Sequence, residues 1–200
     1  MSKKLLVATR NSGKVREFTR LLSDFSFDVI GLVDRGIDAE IEETGTTFEE
    51  NALIKARGYA DISGELTLAD DSGLVVDALD GEPGVMSARY GGKELNDEQR
   101  VELLLENMRE EPGWKRTARF IAVLALVGRD VPNGYATSGG VLEGAITHEP
   151  IGHNGFGYDP VFWLTSQAKT AAELSGEGKD KLSHRGRAFE GLRRTLRSLE

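Results

Sequence analysis

The chain has 200 residues, of which 39% are hydrophobic and 29% charged, with a formal net charge of −8 and no cysteine. This is the composition of an ordinary globular protein with enough length for one domain, residues 1–200, and a real core; disulfides and thiolate zinc sites are excluded. The acidic balance argues against a polymeric nucleic-acid partner. The basic start, Met1 to Leu5, lacks the apolar run of a secretory signal, and no stretch approaches the roughly 20 residues that cross a bilayer, so no membrane partner and a cytoplasmic location are expected.

Leu5-Leu6-Val7-Ala8 reads as a buried strand. Thr9, Arg10, Asn11, Ser12, Gly13 and Lys14 follow as a small-polar loop, then Val15, Phe18, Leu21, Leu22 and Phe25 recur at helical spacing. Strand, loop and helix N-terminus make a phosphate cradle in which backbone N–H groups, hydroxyls and the Lys14 ammonium converge on oxygen. The spacing is not that of a P-loop. Taken alone, the segment reads better as a turn whose helix is capped by Asn11 or Ser12. Phe27 to Val33 gives a second strand, and an acidic stretch ends Glu42-Glu43-Thr44-Gly45. Thr47 and Glu50 form a capping box that opens a long helix, with a stop at Gly64. Asn51 and Lys55, four apart, share one face of it.

Leu66 to Ala69 and Leu74 to Val76 read as two strands joined by a tight turn, Asp70-Asp71-Ser72-Gly73. An Asx turn would explain one aspartate. Two adjacent ionised carboxylates repel, and a pair of them points to a cation, with one carboxylate holding it and one orienting or deprotonating a water. A bound divalent cation would also reconcile an acidic chain with an anionic substrate. Asn96 and Gln99 cap a further helix, Ala118 to Val127 is a strongly apolar strand, and Gly134 to Thr147 another with glycine interruptions. A glycine-rich loop from Gly152 to Asp159 carries Phe156, Gly157, Tyr158 and Asp159; its two aromatics form either a local packing cluster or a platform on which a base stacks. After a loop at Gly176 to Lys181, the last helix starts near Ser183. His184 and Arg185 sit in its first turn, where positive charge opposes the helix dipole and an anionic or electron-rich neighbour would offset the cost. The order of elements predicts an α/β fold: an elongated mixed β-sheet flanked by helices, in two lobes with a central active-site cleft.

Seven stretches in order, TRNSGK, EETGTTFEENALIKA, LADDSGLVVDAL, PGVMSARYGG, FGYDPVF, KTAAEL and SHRG, resemble the inosine/xanthosine triphosphatase family, the dITP/XTP diphosphatases that sanitise nucleotide pools. The resemblance covers essentially the whole chain. It implies magnesium-dependent hydrolysis of non-standard purine nucleoside triphosphates (ITP, dITP, XTP) between the α and β phosphates, giving a nucleoside monophosphate and pyrophosphate. It also implies a homodimer. Carried onto this sequence, it places Thr9 to Lys14 on the triphosphate with Lys55 as further support. Glu42 and Asp71 become Mg2+ ligands, with Glu43 a competing neighbour. Asp71 becomes the proton acceptor, Asp70 its assistant, and Ser72 a substrate contact. Phe156 to Asp159, Lys179, His184 and Arg185 would enclose base and sugar.

Overall fold

The computed structural model describes residues 3–200; Met1 and Ser2, part of the basic start, lie outside the described residues. The chain forms a seven-stranded mixed sheet with strand order β2-β1-β3-β4-β5-β6-β7. Its strands are β1 (Lys4–Val7), β2 (Asp28–Gly31), β3 (Leu66–Val76), β4 (Thr117–Val127), β5 (Tyr135–Ile146), β6 (Phe162–Leu164) and β7 (Lys169–Thr170). Among the described residues, five α-helices accompany them: α1 (Ser12–Leu21), α2 (Phe48–Ser63), α3 (Asp97–Asn107), α4 (Gly176–Leu182) and α5 (His184–Ser198). The α/β fold and the mixed sheet are thus as the sequence predicts. Among the described residues, no helix is long and apolar enough to cross a membrane.

Chain contacts divide the protein into two compact units. The first holds the chain through Asp71, Ala122–Gly140 and Ser183–Glu200; the second holds Ser72–Ile121 and Val141–Leu182.

In the first unit β1 pairs in parallel with β2 on one side and with β3 on the other. The chain passes from β1 to β2 through α1, then from β2 back across β1 to β3 through α2, so the two connections run in opposite directions. A parallel sheet with that reversal binds ligands outside the carboxyl ends of the strands at the switch point, here between β1 and β3. Strand alternation builds two cores. Leu5 and Val7 of β1 with Leu66 and Leu68 of β3 pack on Phe18 of α1 and on Phe189, Leu192 and Leu196 of α5. Leu6, Ala8 and Ala69 face the opposite way, onto Ala52, Ala56 and Tyr59 of α2.

The second unit has its own core, in which Leu74 and Val76 pack with Val101 and Leu104 of α3, with Met108 just past its end, and with Phe120 and Phe162. The last two rings lie 4.3 Å apart. Arg116 is fully buried there; its guanidinium donates to the carbonyls of Met108 (2.6 Å), Ile146 (2.9 Å) and Thr147 (2.8 Å), tying the end of α3 to the end of β5.

Three local expectations are corrected. Asp70 to Gly73 is not a turn: β3 runs unbroken from Leu66 to Val76. The turn propensity of Asp, Ser and Gly gives way because β3 lies inside the sheet, between β1 and β4, where an extended backbone satisfies its hydrogen bonds. Gly176 to Lys181 is helical, within α4. Finally, β2 is only Asp28–Gly31, shorter than the apolar run around it.

Candidate functional site

Because β3 is extended, Asp70 and Asp71 point to opposite faces of the sheet. That separation eases the repulsion expected of neighbouring carboxylates. Asp70 shares the face of Leu66 and Leu68, towards α1 and α5, and Asp71 that of Thr67 and Ala69, towards α2. β1 pairs with β3 only as far as Leu68, with Ala8 N–H donating to the Leu68 carbonyl at 2.8 Å. Both aspartates therefore emerge just past the carboxyl end of β1, where the chain turns into the Thr9–Lys14 loop.

On the α1 and α5 face, Asp70 is 1% exposed. Its Oδ2 lies 2.6 Å from Lys14 Nζ and 3.6 Å from Arg185 Nε. Burial alone would raise its pKa, but the adjacent Lys14 and Arg185 charges outweigh it and hold the carboxyl below the usual range. Arg185 in turn sits 2.9 Å from Glu17, a glutamate only 4% exposed on α1. Burial lowers the Lys14 pKa against the pull of Asp70. Sequence reading missed Glu17. The signal was there in its spacing, since Glu17 is three residues after Lys14 and so shares its helix face.

The loop itself is capped from within. Asn11 is the N-cap of α1 and accepts from Lys14 N–H at 3.1 Å, while Thr9 Oγ1 accepts from Asn11 N–H at 3.2 Å. Gly13 is buried behind Ser12. Arg10 turns away to donate to the carbonyls of Ile37 (3.0 Å) and Ala39 (3.2 Å), tying the loop to the acidic stretch.

On the α2 face, Asp71 is 6% exposed and its Oδ2 has no hydrogen-bond partner among the described residues. Desolvation raises its pKa to about 6 in spite of the opposing Lys55 and Lys14 charges, with Glu43 and Asp70 adding to the rise. Lys55 Nζ donates to the Asp70 carbonyl at 3.0 Å and to Glu43 Oε1 at 2.9 Å. Glu43 is held near Asp71 by the start of α2. There Asn51 Oδ1 accepts from Gly45 N–H at 2.8 Å, so close that a Cβ at Gly45 would meet Asn51 Oδ1 at 2.7 Å. Glu42, beside it, is exposed. Among the described residues no cluster of three or more Asp, Glu or His is arranged to hold a metal. The donor chemistry at Asp71 nevertheless fits a hard divalent cation: a buried carboxylate oxygen without a partner and a second acidic doublet nearby.

His184 and Arg185 belong to this unit. Both are buried in the first turn of α5, whose N-cap, Ser183, accepts from Gly186 N–H at 3.0 Å. The charge opposed to the helix dipole is compensated at Arg185 by Glu17 and Asp70.

In the second unit, Ser72 follows Asp71 along β3. The Phe156–Asp159 loop is built around Asp159, 2% exposed, whose Oδ2 accepts from Phe156 N–H at 2.9 Å and from Lys179 Nζ at 2.5 Å. The preceding residue must be glycine: Gly155 has φ +82°, and a Cβ there would meet the Asp159 carboxylate. Lys179 Nζ lies 4.8 Å from the centre of the Phe156 ring; Lys181 is exposed. Neither aromatic of the loop is fully exposed. Tyr158 is 6% exposed, packs in the second core and donates its hydroxyl to the Ser87 carbonyl at 2.9 Å, because a buried phenol needs a partner. Phe156 is half-buried and keeps part of its ring accessible.

Comparison with known proteins places these features in a family. The sequence signature described as the Ham1 family matches residues 5–195. The chain is 47% identical over 195 residues to a dITP/XTP pyrophosphatase of Shigella flexneri, covering 98% of each chain. It is 48% identical over 194 residues to a dITP/XTP pyrophosphatase of Exiguobacterium sibiricum, covering 96% of each. Among solved structures, a Ham1 protein from Coxiella burnetii superposes with a TM-score of 0.87 at 42% identity, over 98% of this chain and 99% of that one. The Ham1 protein of Staphylococcus aureus gives a TM-score of 0.85 at 39% identity, over 99% and 100%.

Proposed function

The chain belongs to the Ham1 family of hydrolytic enzymes, and we propose that it hydrolyses ITP, dITP and XTP to the nucleoside monophosphate and pyrophosphate with Mg2+ as cofactor. The observation that carries this reading is the divergence of two neighbouring aspartates. Asp70 is held ionised by Lys14 and Arg185, while Asp71 is buried with one unpartnered oxygen and a pKa pushed up to about 6. Carboxylates whose environments drive their proton affinities apart are the mark of an acid–base site.

In this reading Asp71 accepts the proton of the attacking water, since its proton affinity lies close to the working pH. Asp70 is a positioning group that fixes the Lys14 ammonium. Lys14 and Lys55, with the N–H groups and hydroxyls of Thr9 to Gly13, orient the triphosphate for in-line attack. Asp71 and Glu42, with Glu43 as its competing neighbour, would hold Mg2+, which when bound would offset charge on the departing pyrophosphate. The half-buried Phe156 ring, with the Lys179 ammonium beside it, offers a stacking face and a donor to the purine. Ser72, Gly157, Tyr158, Asp159, His184 and Arg185 complete the substrate set. A donor aimed at the purine 6-position is matched by the carbonyl of hypoxanthine or xanthine and left unpaired against the amino group of adenine, a penalty of about 1–3 kcal/mol per contact.

The test is pyrophosphate release from ITP, dITP, XTP, GTP and ATP, with and without Mg2+. Fast release from the first three and slow release from ATP and GTP is expected, with loss of activity on chelation. Equal rates on GTP would refute the selectivity, and orthophosphate as sole product would refute the bond cleaved. The supporting family also suggests a homodimeric, cytoplasmic enzyme; sedimentation of the purified protein would decide the first.

A further inference from the structure

Two successive backbone N–H groups in the aromatic loop end on carboxylates from different parts of the second unit. Phe156 N–H donates to Asp159, inside the loop, at 2.9 Å. Gly157 N–H donates at 3.0 Å to Oδ2 of Asp97, the first residue of α3 and 60 positions away in sequence. Asp97 is itself steadied from behind. Its Oδ1 lies 3.7 Å from Nη1 of Arg100, a buried arginine whose Nη2 donates to the Gly92 carbonyl at 3.3 Å. The α3 capping box formed by Asn96 and Gln99 fixes the start of the helix, and with it the Asp97 backbone.

From this geometry we propose that Asp97 is a positioning residue for the nucleobase platform: by holding the Gly157 amide it fixes the plane and direction of the Phe156 ring. The inference rests on the reading that Phe156 stacks on the base. Gly157 has φ +59°, a conformation open to glycine, and a Cβ there would meet nothing within 4 Å. No side chain of its own therefore holds residue 157, and the Asp97 carboxylate does that work. Its bond is solvent-exposed, so water replaces it at little cost to folding when the carboxylate is removed. What is lost is the fixed direction of the ring, which weakens binding of the base and leaves the phosphate chemistry untouched.

Steady-state kinetics with ITP and amide hydrogen exchange at Gly157 test this in the Mg2+-supplied enzyme. Asp97→Ala is expected to raise KM about three- to ten-fold, the effect of losing one solvent-exposed hydrogen bond, with kcat within about two-fold. It should also speed exchange at Gly157. Asp97→Asn keeps an acceptor oxygen and should restore most of the KM. Glu98→Ala removes the neighbouring first-turn acid, an exposed residue with no contact to the loop among the described hydrogen bonds and ion pairs, and should behave as wild type. A general loss of α3 stability would move Glu98→Ala as well. Phe156→Ala separates the two levels. If it raises KM while Asp97→Ala does not, the role of Asp97 is refuted and the platform stands. If Phe156→Ala leaves KM unchanged, the platform fails and the inference falls with it. Unchanged exchange at Gly157 in Asp97→Ala would also refute the anchor.

Discussion

A carboxyl that titrates near 6 changes both what Asp71 can do and what it costs the fold. In metal-free protein the folded state keeps the Asp71 proton up to about pH 6, whereas the unfolded chain releases it near its ordinary value of 3.8. Between those values the folded state binds more protons, so stability falls as pH rises and the loss is complete above about pH 7. The displacement corresponds to about 3 kcal/mol. Asp71→Asn mimics the protonated form at every pH. In the presence of a chelator it should match wild type near pH 3.5 and exceed it by up to about 3 kcal/mol at pH 7.5. Urea unfolding at the two pH values measures this, and a variant less stable at pH 7.5 would contradict it. The same substitution removes the proton acceptor, so pyrophosphate release from ITP should fall by more than about 1,000-fold. A gain in stability with a loss of activity is the signature of a strained functional group. The acidic doublet can be divided in the same way. Glu43 is bonded to Lys55 and acts on the Asp71 charge, while Glu42 is exposed. Glu43→Gln should lower the Asp71 pKa and move the acid limb of the pH–rate profile down. If Glu42 holds the cation, Glu42→Gln should raise the Mg2+ concentration for half-activity and leave that limb in place.

The elements that position these groups differ in how plainly the sequence announces them. The two capping boxes, Thr47 with Glu50 and Asn96 with Gln99, are written locally, and both helices begin where they say. Asp70 to Gly73 misleads because its local preference is for a turn, while the sheet neighbours that keep it extended lie far away in sequence. The partners of the two aspartates follow from that one fact. Once β3 is continuous, period-2 alternation assigns Asp70 to α1 and α5 and Asp71 to α2. The Glu17–Arg185, Asp97–Gly157 and Asp159–Lys179 contacts escape sequence reading for the same reason, since each spans 20 to 168 positions. The contact between α1 and α5 gives a prediction at this scale. Glu17→Ala leaves the buried Arg185 with Asp70 but without its 2.9 Å partner and should destabilise the protein by about 3–5 kcal/mol, as removing one member of a buried ion pair does. Glu17→Gln retains an acceptor and should cost about half as much. Equal losses for the two would place the role of Glu17 in packing rather than charge.

Two compact units in one chain raise the question of whether they melt together. The chain passes from one compact unit to the other four times: within β3 after Asp71, within β4 after Ile121, within β5 after Gly140, and between α4 and α5 after Leu182. Composition and periodicity do not announce this interleaving, because no crossing inside a strand carries a linker: one falls at the Asp70–Gly73 stretch, one in the apolar run of β4 and one at the Gly139-Gly140 pair of β5. Three crossings lie inside strands, so neither unit is a continuous length of chain that can be cut out and folded alone. Opening one core frees strand segments whose covalent continuations are clamped in the other. A cooperative, single transition is therefore expected. The chain supplies its own reporter, since both tryptophans, Trp114 and Trp163, belong to the second unit. Their fluorescence follows that unit, while far-ultraviolet circular dichroism follows the helices of both. In a urea titration the two signals should give one midpoint and one slope. A fluorescence transition that precedes the loss of helix would show that the second unit opens by itself, and would assign the Phe156 loop to the less stable part of the molecule.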